Sequence, residues 1–111
     1  MDSTKAKSKV WLEKEQHVVF GDGRQALLKA IEQTGSIRQA ASKLGMSYRA
    51  AWGKIKATEE RLGIEIVNKK AGGTDSGTVL TEHGKDFMRK YDDFKRESNE
   101  VIDQLHIKYF G

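Results

Sequence analysis

The chain has 111 residues, which gives room for one domain and one further long helix but not for a second ligand-binding domain. It contains no cysteine and no proline, which excludes a disulfide framework and a thiolate metal site and leaves no proline to break a helix. With 37% hydrophobic and 32% charged residues and no apolar stretch of membrane length, we expect a small core and a soluble protein of the reducing cytoplasm.

Positive charge is concentrated in the middle of the chain. The formal net charge is +4, and between positions 21 and 70 ten basic residues stand against five acidic ones. The basic residues are Arg24, Lys29, Arg38, Lys43, Arg49, Lys54, Lys56, Arg61, Lys69 and Lys70. A regional excess of this kind is typical of a surface that binds a polyanion, with an ordinary solvated face as the alternative.

The first third of the chain predicts a hairpin and one helix. Residues 1–8 are polar and rich in lysine, and we expect them to be disordered. Residues 9–20 alternate loosely between apolar and polar side chains, which predicts two short strands joined by a tight turn. The spacing of Leu27, Leu28 and Ile31 then predicts an amphipathic helix that ends near Gly35.

Two helices are predicted next, with a short turn between them. Ser36 is a good N-cap for a helix over residues 37–44, whose inward stripe we expect to be Ile37, Ala40, Ala41 and Leu44. Residues 45–47 form the turn, and Ser47 caps a third helix that reaches to about residue 62. At about 100° per residue, that helix directs one stripe inwards and another outwards. The inward stripe is Ala51, Ile55, Thr58 and Leu62, and the outward stripe is Arg49, Gly53, Lys56 and Glu60.

A second hairpin and a last helix are predicted for the rest of the chain. Residues 65–70 and 78–80 have the composition of strands, and the loop between them at 71–77 is rich in glycine. Thr81 is a good N-cap, with Glu82 in the first turn, for a helix that runs toward Ile107.

The second and third helices have the properties of a DNA-reading unit. Two short helices joined by a three-residue turn, the second bearing basic residues at its start, place a recognition helix in the major groove. The strand, glycine-rich loop and strand that follow add a wing, although small residues such as Ala40 and Ala41 occur in any tight helix hairpin. The predicted fold is mainly α with small β (α+β): a winged helix-turn-helix with an N-terminal β-hairpin and a long C-terminal helix.

Residues 36–84 resemble the N-terminal winged helix-turn-helix of LysR-type regulators, and in particular that of ModE-type molybdate-responsive regulators. The motif residues that carry the resemblance are Gly35, Ser36, Ile37, Ala40, Ala41, Gly45, Met46, Ser47, Tyr48, Arg49, Ala51, Trp52, Gly72, Gly73, Val79, Leu80, Thr81, Glu82, His83 and Gly84. ModE-like features also occur at residues 20–24 and 27–31, so the resemblance covers roughly residues 10–95.

The resemblance implies a transcriptional regulator that binds specific sites in double-stranded DNA. Residues 9–84 would form its DNA-binding domain, with the recognition helix at about 47–62 in the major groove and the wing at 70–78 near the backbone. The wing departs from the family, because Thr74, Asp75 and Ser76 stand where a lysine is usual. The family's C-terminal oxyanion-binding domain has no counterpart here, so we expect no molybdate site and no cofactor in this chain.

Within this resemblance, ten residues are candidates for DNA contact. They are Ser36, Arg38, Gln39, Ser47, Tyr48, Arg49, Lys54, Lys56, Lys69 and Lys70. Arg49 leaves the recognition helix near its N-terminus, and arginine is the usual partner of guanine O6 and N7. The hydroxyl and lysine side chains suit backbone phosphates. Trp52, in contrast, is expected to cover the flank of its helix.

The last helix, residues 85–111, is expected to pair with a second copy and form a homodimer. Its apolar seam is Phe87, Tyr91, Phe94, Val101, Ile102 and Leu105, which is longer than a domain of this size covers alone. The alternative is that the helix folds back onto its own N-terminal hairpin. A two-fold dimer would set two recognition helices about 34 Å apart, or a multiple of that distance, and would require a palindromic site.

Two other classes of function are less consistent with the sequence. An enzyme is disfavoured because His17, His83 and His106 lack metal-site spacing, and because Asp92 and Asp93 diverge by about 100° on a helix. A winged domain that binds protein partners stays an alternative, which the basic recognition helix disfavours.

Overall fold

The computed structural model describes residues 3–70 and 77–111, which contain two antiparallel hairpins and four helices. The element order is β1 (Leu12–Lys14), β2 (His17–Phe20), α1 (Asp22–Thr34), α2 (Ile37–Lys43), α3 (Tyr48–Leu62), β3 (Val67–Lys69), β4 (Thr78–Leu80) and α4 (Glu82–Phe110). The predicted fold class and order of elements are confirmed. The predicted glycine-rich wing tip, at residues 71–76, lies outside the described residues.

The N-terminal hairpin turns at Glu15 and Gln16. Both residues have positive φ angles, 53° and 69°, as the two central residues of a type I′ hairpin turn do. β1 and β2 then pair in an antiparallel register that shifts between Leu12 and Glu13. The predicted pair of short strands with a tight turn is confirmed.

Local capping fixes where three of the helices begin. Ser36, Ser47 and Thr81 each accept a hydrogen bond on the hydroxyl oxygen from a backbone N–H three residues further on. The left-handed backbone of Gly35 and Gly63, with φ of 72° and 70°, ends α1 and α3. These predicted caps and end points are confirmed.

Several element boundaries differ from those predicted. α2 ends at Lys43, and Leu44 is 37% exposed because the chain has already left the helix before it. β3 begins at Val67 instead of residue 65, because the N–H of Ile66, just before it, donates its hydrogen bond to the Glu59 carboxylate of α3 and not to a strand. α4 continues to Phe110, since it contains no proline and no glycine lies between Gly84 in its first turn and Gly111.

The core lies where β2, α1, α3 and the first turns of α4 meet. The inward stripe of α3 is confirmed for Ala51, Ile55 and Thr58, all nearly inaccessible to solvent, whereas Leu62 is only partly buried. The Thr58 hydroxyl donates a 2.7 Å hydrogen bond to the backbone oxygen of Val19. This bond satisfies the buried hydroxyl and ties α3 to β2.

Three aromatic rings join the N-terminal hairpin to α4. The ring of Phe20, fully buried, meets the rings of Phe87 and Tyr91 edge-on at centroid distances of 4.9 and 5.0 Å. Tyr91 is only 2% exposed. Placing Tyr91 in the seam that meets a second copy is therefore wrong, because its ring lies in the core of its own chain. Phe87 is partly buried against the same core.

The rest of α4 extends away from the core. The described residues measure 61 × 28 × 22 Å along their principal axes. Residues 3–11 have no regular structure, and Ser8 and Thr4 contact Asn99 and His106 of α4 through side-chain hydrogen bonds. Within the described ranges, no helix combines the length and apolar character needed to cross a membrane.

Candidate nucleic-acid interface

One face of α3 is free of the protein's own core. Arg49, Gly53 and Lys56 are exposed on the side of the helix opposite Ala51 and Ile55. Among the described residues, none forms an ion pair or hydrogen bond with the Arg49 guanidinium. Arg49 therefore keeps all its donors available to an external acceptor, as a base-reading arginine needs.

The start of α2 contacts the start of α3 through a stacked pair. The guanidinium carbon of Arg38 lies 4.4 Å from the centroid of the Tyr48 ring, which is 41% exposed. Ser36 and Ser47 cap these two helices through their hydroxyl oxygens, and neither hydroxyl hydrogen is donated to another described residue. Gln39 is exposed on the first turn of α2.

Lys56 lies on the flank of α3 that faces the second hairpin. Its Nζ is 5.6 Å from the centroid of the Trp52 ring and 3.1 Å from Oε1 of Glu59. Oε2 of Glu59 accepts hydrogen bonds from the backbone N–H groups of Ile66 at 2.8 Å and Val67 at 3.2 Å. One carboxylate thus links a candidate DNA-contacting lysine to the start of β3.

The Glu59 carboxyl is held in its charged form. Burial raises its pKa, but the N–H donors of Ile66 and Val67 and the neighbouring Lys56 together outweigh burial, so the pKa lies below its ordinary value. A permanently charged acceptor at this position keeps the second hairpin in a fixed relation to α3 at neutral pH.

A groove of about 330 Å³ separates α3 from the second hairpin. Trp52, Lys56 and Lys69 line it, and the Trp52 side chain is 45% exposed there. Trp52 thus lies on the flank of its helix, as expected, but with half of its surface open to a ligand in the groove. Lys69 ends β3 and Lys70 follows it; both side chains are exposed, next to the wing tip in the sequence.

Lys54 is placed apart from the other candidates. It lies two residues before Lys56, so its side chain leaves the opposite flank of α3, at about 200°. There it lines a separate cavity with Arg24 and Trp11, beside the N-terminal hairpin. The interface therefore has two basic flanks, one next to the wing and one next to α1.

Sequence reasoning missed two residues of this region, Glu59 and Arg24. Glu59 stands three residues after Lys56, which is a detectable helical ion-pair spacing, but its bonds to Ile66 and Val67 have no signal in the sequence. Arg24 was counted among the basic residues and within the ModE-like features at 20–24, but it was given no role, and nothing in the pattern indicates that its Nε is buried.

Comparisons with known protein families give a consistent result. The family described as "Bacterial regulatory helix-turn-helix protein, lysR family" matches residues 24–85. The molybdenum transport protein ModE of Azotobacter vinelandii is 32% identical over 106 residues, which are 95% of this chain and 39% of that protein. The DNA-binding transcriptional dual regulator ModE of Escherichia coli (strain K12) is 34% identical over 94 residues, 83% of this chain and 36% of that protein. The molybdenum-pterin-binding protein MopB of Rhodobacter capsulatus is 42% identical over 73 residues, 65% of this chain and 27% of that protein.

Solved structures share the fold at lower sequence identity. The CbnR_DBD-DNA complex matches with a TM-score of 0.59 and 19% identity, covering 78% of this chain and 94% of that one. ArgP from Mycobacterium tuberculosis matches with a TM-score of 0.53 and 21% identity, covering 76% of this chain and 30% of that one. The resemblance inferred from residues 36–84 is confirmed, while the chain spans only 27% to 39% of the length of the three relatives.

Proposed function

The chain belongs to the lysR family of bacterial regulatory helix-turn-helix proteins, and from this membership we propose that it binds specific sites in double-stranded DNA and regulates transcription. The observation that carries the proposal is the division of α3 into two faces. Ala51 and Ile55 are buried, whereas Arg49 and Lys56 on the opposite face are exposed. A helix with one anchored face and one free basic face suits insertion into the major groove.

The proposed binding mode assigns different tasks to the basic residues. Arg49 reads a guanine edge from the first turn of α3. Lys54 and Lys56 leave opposite flanks of the helix, and so each meets the phosphates of one of the two strands that border the groove. Arg38 and Tyr48 form a stacked pair at the groove edge, where Ser36, Gln39 and Ser47 also offer polar groups.

The second hairpin supports the recognition helix in this binding mode. Lys69 and Lys70 enter the wing on its exposed side, and Lys69 shares a groove with Lys56. We propose that these two lysines lie along the DNA backbone next to the major groove that α3 occupies. Electrostatic attraction of this kind positions a protein on duplex DNA without reading its sequence.

We further propose that the chain acts as a homodimer through the extended part of α4. Phe94, Val101 and Leu105 are 46%, 54% and 44% exposed, and they recur along one helix at spacings of seven and four residues. Ile102 is partly exposed beside them. A seam of this length on a projecting helix is covered most simply by the same seam of a second copy, which also gives the two-fold symmetry of a palindromic site.

We propose that this chain does not itself bind molybdate, although the names of two relatives mention molybdenum. An oxyanion site needs converging donors that are not already paired. In α4, Lys85, Lys90 and Arg96 each form an ion pair with a carboxylate of the same helix. Those cations are therefore poorly placed to collect an oxyanion.

Selection from a random duplex pool tests the proposed function directly. We expect enrichment of a two-fold symmetric motif, and we expect the affinity for that motif to fall steeply as salt increases, because bound phosphates release counterions. A pool that stays random after repeated rounds, or affinity that is the same for every duplex, would contradict specific recognition and favour a winged domain that binds protein partners.

A further inference from the structure

A cavity of about 320 Å³ opens beside the start of α1, on the flank of α3 that carries Lys54. We name it the Trp11 cavity. Its apolar and basic walls are formed by Trp11, Val18, Met46, Lys9, Arg24 and Lys54. The volume lies within the range of about 300–1,000 Å³ that is usual for small-molecule sites. DNA binding requires cations such as Lys54, but it does not require an indole and two other apolar side chains beside three cations.

Arg24 is the basic residue of the cavity lining whose guanidinium is partly buried. Its Nε is buried and has no hydrogen-bond acceptor among the described residues. Burial and the nearby Arg61 both lower the pKa of the Arg24 guanidinium. The buried Nε is closed to solvent, but Arg24 also lines the Trp11 cavity, so an anionic oxygen in the cavity can pair with the guanidinium and offset the cost of burying its charge.

The charge of the cavity is positive despite one carboxylate. Asp22 is the acidic residue of the described lining, and its Oδ1 is 3.0 Å from Nζ of Lys95 and 3.0 Å from the Tyr91 hydroxyl. These hydrogen bonds, that of Lys95 first, lower the pKa of Asp22. Within the described residues, Lys9 and Lys54 form no comparable ion pair. The Asp22 carboxylate is thus compensated mainly by Lys95, which lies outside the cavity, and three basic side chains against one acidic side chain leave the lining positive.

Trp11 gives the cavity a fixed aromatic wall. Its indole N–H donates a 2.7 Å hydrogen bond to Oε2 of Glu13. Its Cβ packs against Gly21, where an added Cβ would approach it to 3.2 Å. Half of the Trp11 side chain is nevertheless exposed. A side chain that is held in place and still accessible offers a flat surface for a planar apolar ligand.

We propose that the Trp11 cavity binds a small aromatic carboxylate. The ring lies against Trp11, Val18 and Met46, and the carboxylate accepts hydrogen bonds from Arg24 with Lys54 close by. Because Lys54 belongs to α3, an anion in the cavity competes with DNA phosphates for this lysine and adds negative charge beside the duplex. Occupancy therefore weakens DNA binding. This last step rests on the proposed function, whereas binding of the carboxylate does not.

The binding step is tested with 2-naphthoate and the isotope-labelled full chain, by nuclear magnetic resonance. We expect saturable shifts of the Gly21 and Gly23 amides and of the Trp11 indole N–H. The uncharged analogue 2-naphthamide and inorganic sulfate test the two halves of the ligand, and each alone should bind at least about tenfold more weakly than 2-naphthoate.

Matched variants locate the site. Arg24→Gln should weaken 2-naphthoate binding about tenfold, whereas Arg89→Gln on the exposed side of α4 should leave it unchanged. Lys54→Gln gives a second reduction that does not depend on a buried position. Equal binding of naphthamide and naphthoate, shifts that avoid the Trp11 cavity, or unchanged binding in both Arg24→Gln and Lys54→Gln would overturn the site.

The regulatory step is tested by measuring affinity for a selected duplex with and without saturating 2-naphthoate. We expect lower affinity in its presence, and no change when Arg24→Gln is used. Equal affinity would overturn the coupling while leaving the binding site intact. If no duplex is bound at all, the proposed function fails, but the naphthoate titration still decides whether the cavity is a carboxylate site.

Discussion

Gly84, in the first turn of α4, lies so close to the backbone of Ile66 that a Cβ at Gly84 would stand 2.6 Å from the Ile66 carbonyl oxygen. That oxygen also accepts a 2.8 Å hydrogen bond from the Thr81 N–H. The two contacts bring the last helix against the chain that enters the second hairpin. Glycine is required at position 84 because there is no space for a side chain. The backbone conformation does not require it, because it is that of an ordinary helix.

Exchanging glycine for alanine should have opposite effects at two helical positions. Gly84→Ala forces the backbone at Ile66 to move, and we expect a loss of about 1–3 kcal/mol of unfolding free energy. Gly53→Ala, with nothing within 4 Å of an added Cβ, should gain about 0.5–1 kcal/mol because alanine is the better helix former. Urea unfolding of both variants measures the difference. Equal effects of the two substitutions would contradict the close approach at Gly84.

Glu59 should stabilise the protein by accepting hydrogen bonds from two backbone N–H groups. In Glu59→Ala the Ile66 and Val67 N–H groups lose their acceptor, and we expect a cost of about 1–3 kcal/mol. Glu59→Gln keeps one carbonyl oxygen and should cost less. Urea unfolding at neutral pH checks the order. A larger loss in Glu59→Gln than in Glu59→Ala would mean that the N–H groups are not what Glu59 stabilises.

The same carboxylate should make stability depend on pH. The pKa of Glu59 in the folded chain lies below its ordinary value of 4.5, so its charged form contributes stability that is fully present above that pH. The contribution is lost as pH falls through the lowered pKa. The stability gap between the natural chain and Glu59→Gln should therefore be constant at neutral pH and narrow below about pH 4.5. A gap that widens in acid would contradict the direction of the pKa shift.

How much of this structure the sequence could predict depends on how local each feature is. The caps at Ser36 and Ser47 and the buried stripe of α3 follow from residues within a few positions, and they were predicted correctly. The apolar seam of α4 was assigned as a whole to the contact with a second copy, because periodicity shows that a stripe is apolar but not which part of it the protein's own core covers. Phe87 and Tyr91 meet Phe20, which is far away in the sequence and adjacent only after folding.

The candidate interface could also be predicted only where its residues share one helix. Arg49 and Lys56 could be assigned to one face because a single helix carries both. The role of Glu59 requires the fold, since the N–H donors of Ile66 and Val67 reach its carboxylate only when β3 docks on α3. The Trp11 cavity brings residues of three separate segments to one place, and no spacing in the sequence predicts such a meeting.

Arg49 and Lys56 should differ in what their loss does to DNA binding. Arg49→Ala should lower specific affinity by about 1–3 kcal/mol and relax the preference at one base position, because an arginine reads guanine through two hydrogen bonds. Lys56→Ala should weaken all sequences alike and reduce the salt dependence by about one counterion. Binding assays on the selected duplex and on single-base variants at two salt concentrations separate these effects. Unchanged base preference in Arg49→Ala would place base reading elsewhere on α3.

The exposed seam of α4 should hold the proposed dimer together. Leu105→Glu and Val101→Glu place a charge where two copies of the helix would bury an apolar side chain, and a buried unpaired charge is strongly unfavourable. We expect sedimentation to show a dimer for the natural chain and a monomer for either variant, with folding unchanged because both positions lie far from the core. Glu100→Gln, a charge change on the same exposed part of α4, is the matched control and should stay dimeric.

Because a palindromic site is read by two recognition helices at once, the monomeric variants should also lose affinity for the full site while keeping their affinity for a half-site. A natural chain that sediments as a monomer under the conditions of DNA binding would rule out the dimer and leave the exposed end of α4 without a role.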